Sequence, residues 1–184
     1  MKIKTPFFSR NDVAKLFPKE SKNHINTQLY RMVKRDDLVG VKRGYYLFQG
    51  SKVDEFFIAN RLYTPSYISL ESVLNITGII PDITSVVTNV TTITSIKLST
   101  PVGNFVYSKI SEKLFFGYTS ILDRQSGLYY DIASPEKALL DFIYIRRIQN
   151  LIDSRVDISN LNKEVLNKYS IYFPKWVRKV IKDA

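Results

Sequence analysis

Asn23, Thr27 and Arg31 recur every four residues, with Tyr30 and Lys34 beside them, so in a helix at about 100° per residue all five lie on one face. That face is built to donate and accept hydrogen bonds. An asparagine amide can pair with the edge of adenine and an arginine guanidinium with guanine, each good bidentate contact giving about 1–3 kcal/mol of discrimination in a major groove. Tyr30 and Lys34, with Lys22 at the start of the same helix, suit the phosphate backbone. Other chemistry is poorly supplied. His24 is the single histidine and there is no cysteine, so no thiolate zinc site, disulfide or cysteine nucleophile can form and no metal or cofactor is expected. Asp131 with Glu136 and Lys137 faintly suggests a nuclease triplet, but Glu136 and Lys137 are adjacent, which on a strand would point them to opposite faces. An acid at the start of a helix explains Glu136 better. The reading is of a protein that is not an enzyme.

The elements that must carry the polar face follow from local signals. Ser9 reads as an N-cap with Asp12 at the third helical position, opening a short helix with Val13, Leu16 and Phe17 on its apolar side and Pro18 at its end. Ser21 caps a second helix whose Ile25, Leu29, Met32 and Val33 make a core face opposite Asn23, Thr27 and Arg31. Two β-prone runs, 38–42 and 45–48, flank Arg43-Gly44 and predict a hairpin whose tip bears Lys42 and Arg43, aimed at phosphate or a minor groove. Helix, turn, helix, hairpin is the order of a winged helix-turn-helix. Residues 1–52 carry 12 Lys/Arg against 4 Asp/Glu, a net +8 of the chain's +10, which concentrates the attraction for polyanions at this end.

Beyond residue 52 the pattern predicts a mixed α/β domain over 53–184 with a mostly antiparallel sheet, making the whole chain α+β. A helix over 54–63 ends near Pro65, and Ser69 reads as the cap of a helix that closes at Gly78. Residues 83–110 hold 17 Ile, Val, Thr, Phe or Tyr among 28, with further strands expected at 113–118 and 128–132. Ser134-Pro135-Glu136 opens a helix running to about Gln149, and two short helices fit 161–168 and 174–182. In the last of these Trp176, Val177, Val180 and Ile181 form an apolar side, leaving Lys175, Arg178, Lys179 and Lys182 for a protein partner or nucleic-acid backbone. No stretch has the length of a membrane span or a signal peptide core, so the expectation is a cytoplasmic protein.

Several segments in this order are familiar together: Lys42-Arg43-Gly44-Tyr45-Tyr46, Ala59 to Leu62, Pro65-Ser66-Tyr67-Ile68-Ser69, Leu74 to Ile79, and Ala133-Ser134-Pro135-Glu136-Lys137-Ala138-Leu139-Leu140-Asp141. Over roughly residues 8–145 the chain resembles the AbiEi-type antitoxin family of abortive-infection type IV toxin-antitoxin systems. That resemblance implies a winged-helix repressor that binds inverted repeats in double-stranded DNA to regulate its own operon; since one recognition helix reads only a few base pairs, inverted repeats would call for two subunits, a possible dimer, on the DNA. It also implies a C-terminal domain that counteracts a nucleotidyltransferase toxin. A solitary winged-helix regulator and a protein-interaction module without a toxin remain as alternatives, with a nuclease behind both.

Overall fold

Phe7 and Phe8 are adjacent in sequence and both buried, so on an extended strand they must face two different cores. The computed structural model, described for residues 5–81, 85–123, 126–152 and 154–183, resolves that demand with a small sheet covered on both sides. Strand β1 (Phe7–Ser9) pairs antiparallel with β3 (Tyr45–Phe48), which pairs with β2 (Leu38–Lys42), in the order β1-β3-β2. On one face Phe8 meets Tyr46 and Phe48 at 5.9 and 5.2 Å between ring centroids and joins Val13, Ile25, Leu29 and Leu38. On the other, Phe7 stacks on Tyr45 and meets the edge of Phe57, entering the main core with Val41 and Leu47.

Helices α1 (Arg10–Leu16) and α2 (Lys22–Lys34) cover the Phe8 face. Ser9 caps α1 as its sequence position predicts: its hydroxyl accepts from the Asp12 N–H while the Asp12 carboxylate accepts from the Ser9 N–H, a complete capping box. Ser21 caps α2 through the His24 N–H. On the Phe7 face lies α3 (Glu55–Leu62), capped by Asp54. The small sheet is therefore docked on the rest of the chain through a buried aromatic face, and the sequence boundary at residue 52 falls between two elements that share one core.

The larger sheet has the order β6-β7-β5-β4-β9-β8, from β4 (Ser66–Ile68), β5 (Val86–Thr91), β6 (Ile96–Thr100), β7 (Gly103–Lys109), β8 (Tyr118–Asp123) and β9 (Leu128–Ala133). It is mixed: β4–β5, β6–β7 and β8–β9 pair antiparallel, β4–β9 and β5–β7 parallel. Helices α4 (Glu71–Ile76), α5 (Pro135–Arg146), α6 (Lys163–Ser170) and α7 (Lys175–Lys182) complete an α+β chain. Leu139, Leu140 and Ile143 of α5 are fully buried in its middle.

Several local expectations are corrected. Ser69 does not cap a helix, because Leu70 takes φ 60°, the helix begins at Glu71, and the Ser69 hydroxyl donates instead to the Asp141 carboxylate at 2.9 Å. Residues 113–118 are not a strand: Glu112–Leu114 is a short 3-10 turn, and the strand starts at Tyr118, where the ring stacks on Tyr67. Helix α5 stops at Arg146, three residues early, because Arg147 turns left-handed. Helix α6 lies two residues later than expected, capped by Asn162. The strands β1 and β4 have only three residues each and leave no periodic signal.

Lys137 and Asp141, one turn apart on α5, are both wholly buried and form an ion pair, with Lys137 Nζ also donating to the Tyr67 hydroxyl at 2.8 Å. The Tyr67 and Ser69 hydroxyls donate to the second Asp141 oxygen at 2.9 Å each, so the carboxylate is satisfied by β4 and its exit as well as by α5. Burial pushes the Lys137 amine down and the Asp141 carboxyl up from their ordinary ranges, each opposed by the other's charge. Lys137→Met therefore leaves a buried carboxylate without its cation and should destabilise by about 3–5 kcal/mol, whereas pairing it with Asp141→Leu should recover most of the loss. Urea unfolding of the two variants checks this, and equal destabilisation of single and double mutants would refute it.

Candidate nucleic-acid interface

Helix α2 spends its Ile25 and Leu29 side chains on the small core, and this sets its rotation. Asn23, Thr27, Tyr30, Arg31 and Lys34 consequently point to solvent, with Tyr30 62% exposed. The Thr27 hydroxyl donates to the Asn23 carbonyl at 2.9 Å, so its proton is committed and its oxygen remains an acceptor. Lys34 Nζ rests 5.8 Å from the centre of the Tyr30 ring, tying the two backbone-contact candidates together. Lys22, in the first turn, is exposed, and α2 has no acid in that turn, so the helix dipole and Lys22 add positive potential at the same end. The opposite side of α2 lines an apolar groove of about 570 Å³ with Phe8, Val13 and Phe17, so the helix has one wet polar face and one apolar face.

The hairpin forms as its sequence predicts, with Arg43-Gly44 as the turn and Gly44 at φ 84°, a conformation glycine takes without strain. Its two cations differ. Arg43 is exposed at the tip, whereas Lys42 is half-buried and lies 5.8 Å over the Tyr63 ring just beyond α3. Lys42 thus points toward the body of the protein, because a register shift between Gly40 and Lys42 breaks the β2 alternation and sets Lys42 opposite Tyr45, on the same side of the sheet as Val41 and the main core.

Arg10 is the residue that sequence reasoning missed. Its backbone N–H donates to the Gly44 carbonyl at 2.8 Å and its guanidinium to the Asn26 side chain at 3.5 Å, so it lies between the hairpin turn and α2. Sixteen residues separate Arg10 from Asn26, and only the fold brings them together; the local signal, an exposed cation directly after an N-cap, is too common to have singled it out. Arg31, Lys34, Arg10 and Arg43 then belong to one small unit, two of whose four acids, Asp12 and Asp37, are engaged with Arg61 at 3.9 Å and Arg35 at 2.9 Å.

No protein-family model and no curated protein matches the chain. The functional reading therefore rests on the residues themselves. His24 sits near Glu20 and Gln28 at 3.8 and 3.5 Å on an exposed helix end, and among the described residues no group of three or more His, Asp or Glu could hold a metal. The acids and lysine weighed as a nuclease triplet are dispersed: Asp131 accepts from Ser120, Glu136 accepts from the Asn162 N–H at 3.1 Å and so ties α5 to the start of α6, and Lys137 is closed within its buried pair. No described helix is long and apolar enough to cross a membrane.

Lys175, Arg178, Lys179 and Lys182 of α7 do come together, around a cavity of about 310 Å³ that also includes Asp183. Val177 and Val180 anchor the other side of α7, and Trp176 stacks on Tyr144 with the Arg147 guanidinium 5.4 Å from its ring. The Arg178 Nε is buried without a hydrogen-bond partner.

The capping box gives α1 a pH dependence of known sign. Burial raises the Asp12 carboxyl, but the hydrogen bonds from Ser9 and the charges of Arg61 and Lys15 outweigh it and hold Asp12 below its ordinary value. Its stabilising contribution is complete above the ordinary carboxylate range and is lost as pH falls through the depressed value. Thermal melts of Asp12→Asn against wild type should converge on acidification, and a difference that persists at the lowest pH would contradict this.

Proposed function

We propose that the N-terminal unit is a winged helix-turn-helix that reads double-stranded DNA, and that the protein is a transcriptional repressor acting on its own operon. The observation that carries the proposal is the exposed polar face of α2, rotated outward by the burial of Ile25 and Leu29 and flanked by Arg10 and Arg43. In this reading α1 and the turn before Ser21 brace α2 across the groove, and Asn23, Thr27 and Arg31 read base edges. Lys22, Tyr30, Lys34 and Arg10 hold phosphates, with Arg43 at the wing. Lys42 is assigned a lesser part, since its ammonium is drawn to Tyr63.

The two roles separate experimentally. Asn23→Ala and Arg31→Ala should each weaken binding to the protein's own upstream duplex by about 10-fold or more while leaving binding to unrelated duplex nearly unchanged. Arg10→Ala should weaken both alike and lower the slope of log affinity against log salt by about 1. Fluorescence anisotropy over a salt series reads both quantities. Unchanged selectivity in the Asn23 and Arg31 variants would refute base reading by α2.

The resemblance to the antitoxin family adds a protein partner, a nucleotidyltransferase toxin. The surface we assign to it is the basic side of α7, supported by the convergence of Lys175, Arg178, Lys179 and Lys182 on one concavity. Charge reversal of Lys175 and Lys179 should abolish capture of the neighbouring gene's product and spare DNA binding. Loss of both together would argue that α7 belongs to the DNA surface.

A further inference from the structure

The two edges of the larger sheet are guarded unequally. On β6 the outward-turned residues are Lys97 and Ser99, and an exposed lysine is a common guard against edge pairing. At the other end, β8 carries no cation, proline or bulge: Tyr118, Thr119, Ser120, Ile121 and Leu122 are all exposed in succession, with Ile121 42% and Leu122 44% accessible. The phase of its hydrogen bonding is known. The Ser134 N–H donates to the Gly117 carbonyl, so in the β8–β9 register the inward-bonded residues are Gly117, Thr119, Ile121 and Asp123. The N–H and C=O groups of Tyr118, Ser120 and Leu122 are therefore aimed at the open edge.

We propose that β8 is a self-association edge at which a second copy of this chain adds its own β8, antiparallel, about a two-fold axis through Ser120. Such a register sets Ser120 opposite Ser120, Tyr118 opposite Leu122 and Thr119 opposite Ile121, and it pairs every outward N–H and C=O of Tyr118, Ser120 and Leu122. Aromatic–aliphatic and β-branched pairs of this type are the stabilising ones, and no like charges face each other. A second copy meets no like cations in the strand itself: +8 of the chain's +10 lies in residues 1–52, and residues 114–123, between Lys113 and Arg124, hold one acid, Asp123, and no cation. An adjoining cavity of about 220 Å³ borders Tyr118 and Ser120, with Phe115, Tyr129 and Tyr130 beside the polar Arg61 and Asp131 in its walls, and Leu122 of the second copy arrives on that face opposite Tyr118. The pairing stands apart from the DNA reading, although it would bring two N-terminal units into one particle.

Sedimentation velocity of the full chain over the micromolar range tests the proposal, with Ser120→Lys as the disrupting variant. Two lysines would then face each other at the axis, and their long side chains would crowd the Ser120–Ser120 pairing. Wild type should sediment as a reversible dimer, and Ser120→Lys should weaken association by about 10-fold or more with an unchanged circular dichroism spectrum. Because the chain has no cysteine, Ser120→Cys gives an independent readout. Facing strand residues at this pairing lie about 5.5 Å apart at Cα, within disulfide range, so mild oxidation should yield a covalent dimer, while Ser99→Cys on β6 should not. A wild-type monomer throughout the range, a dimer that survives Ser120→Lys, or equal cross-linking of the two cysteine variants would overturn the proposal.

Discussion

The burial of Phe7 and Phe8 on opposite faces of one three-residue strand is the constraint from which the candidate interface follows. A strand of that length is too short to be stable alone, and its pairing with β3 holds only because both faces are covered, by α1 and α2 on one side and by α3 on the other. Once Phe8 has collected Ile25 and Leu29, the rotation of α2 is set, and the polar residues between them have nowhere to go but outward. The same strand ends in Ser9, so the sheet also fixes where α1 begins and where Arg10 must sit. A single packing decision thus links the core, the orientation of α2 and the position of a cation that no local pattern singles out.

The larger half is organised around a different kind of restraint. The Lys137–Asp141 pair and its Tyr67 and Ser69 partners join α5 to β4 through groups that have no access to water. Buried pairs of this type add little net stability, yet they penalise any arrangement that separates the partners, and so they specify which strand α5 packs against. Tyr67 carries the restraint one step further, since its ring stacks on Tyr118 at 4.7 Å and anchors the start of β8. The edge that β8 presents is therefore held in place by the interior rather than left to fray.

What could be read from the sequence was what is periodic or capped. The phase of α2 came from four apolar residues, the hairpin from Arg43-Gly44, and the starts of α1 and α5 from Ser9 with Asp12 and from Ser134-Pro135, because each of these signals acts within one turn of chain. What escaped depends on distant partners. β1 has no period of its own and is a strand only because β3 lies beside it. Ser69 has the composition of a cap, but Asp141 competes for its hydroxyl from 72 residues away. The spacing of Lys137 and Asp141 looks like an ordinary surface ion pair, and nothing local announces that both are buried. Lys42 looks as available as Arg43 until Tyr63 is folded beneath it.

Base reading by α2 requires that its polar face distinguish one DNA sequence from another. The direct measurement is competition between a duplex from upstream of the protein's own gene and a shuffled duplex of the same length and composition, followed at low and at near-physiological salt. If α2 reads bases, the preference for the upstream duplex persists, or grows, as salt removes the phosphate contribution common to both. If both duplexes are released together as salt rises, the basic N-terminal unit is an electrostatic surface only, and the proposal that α2 reads bases is wrong.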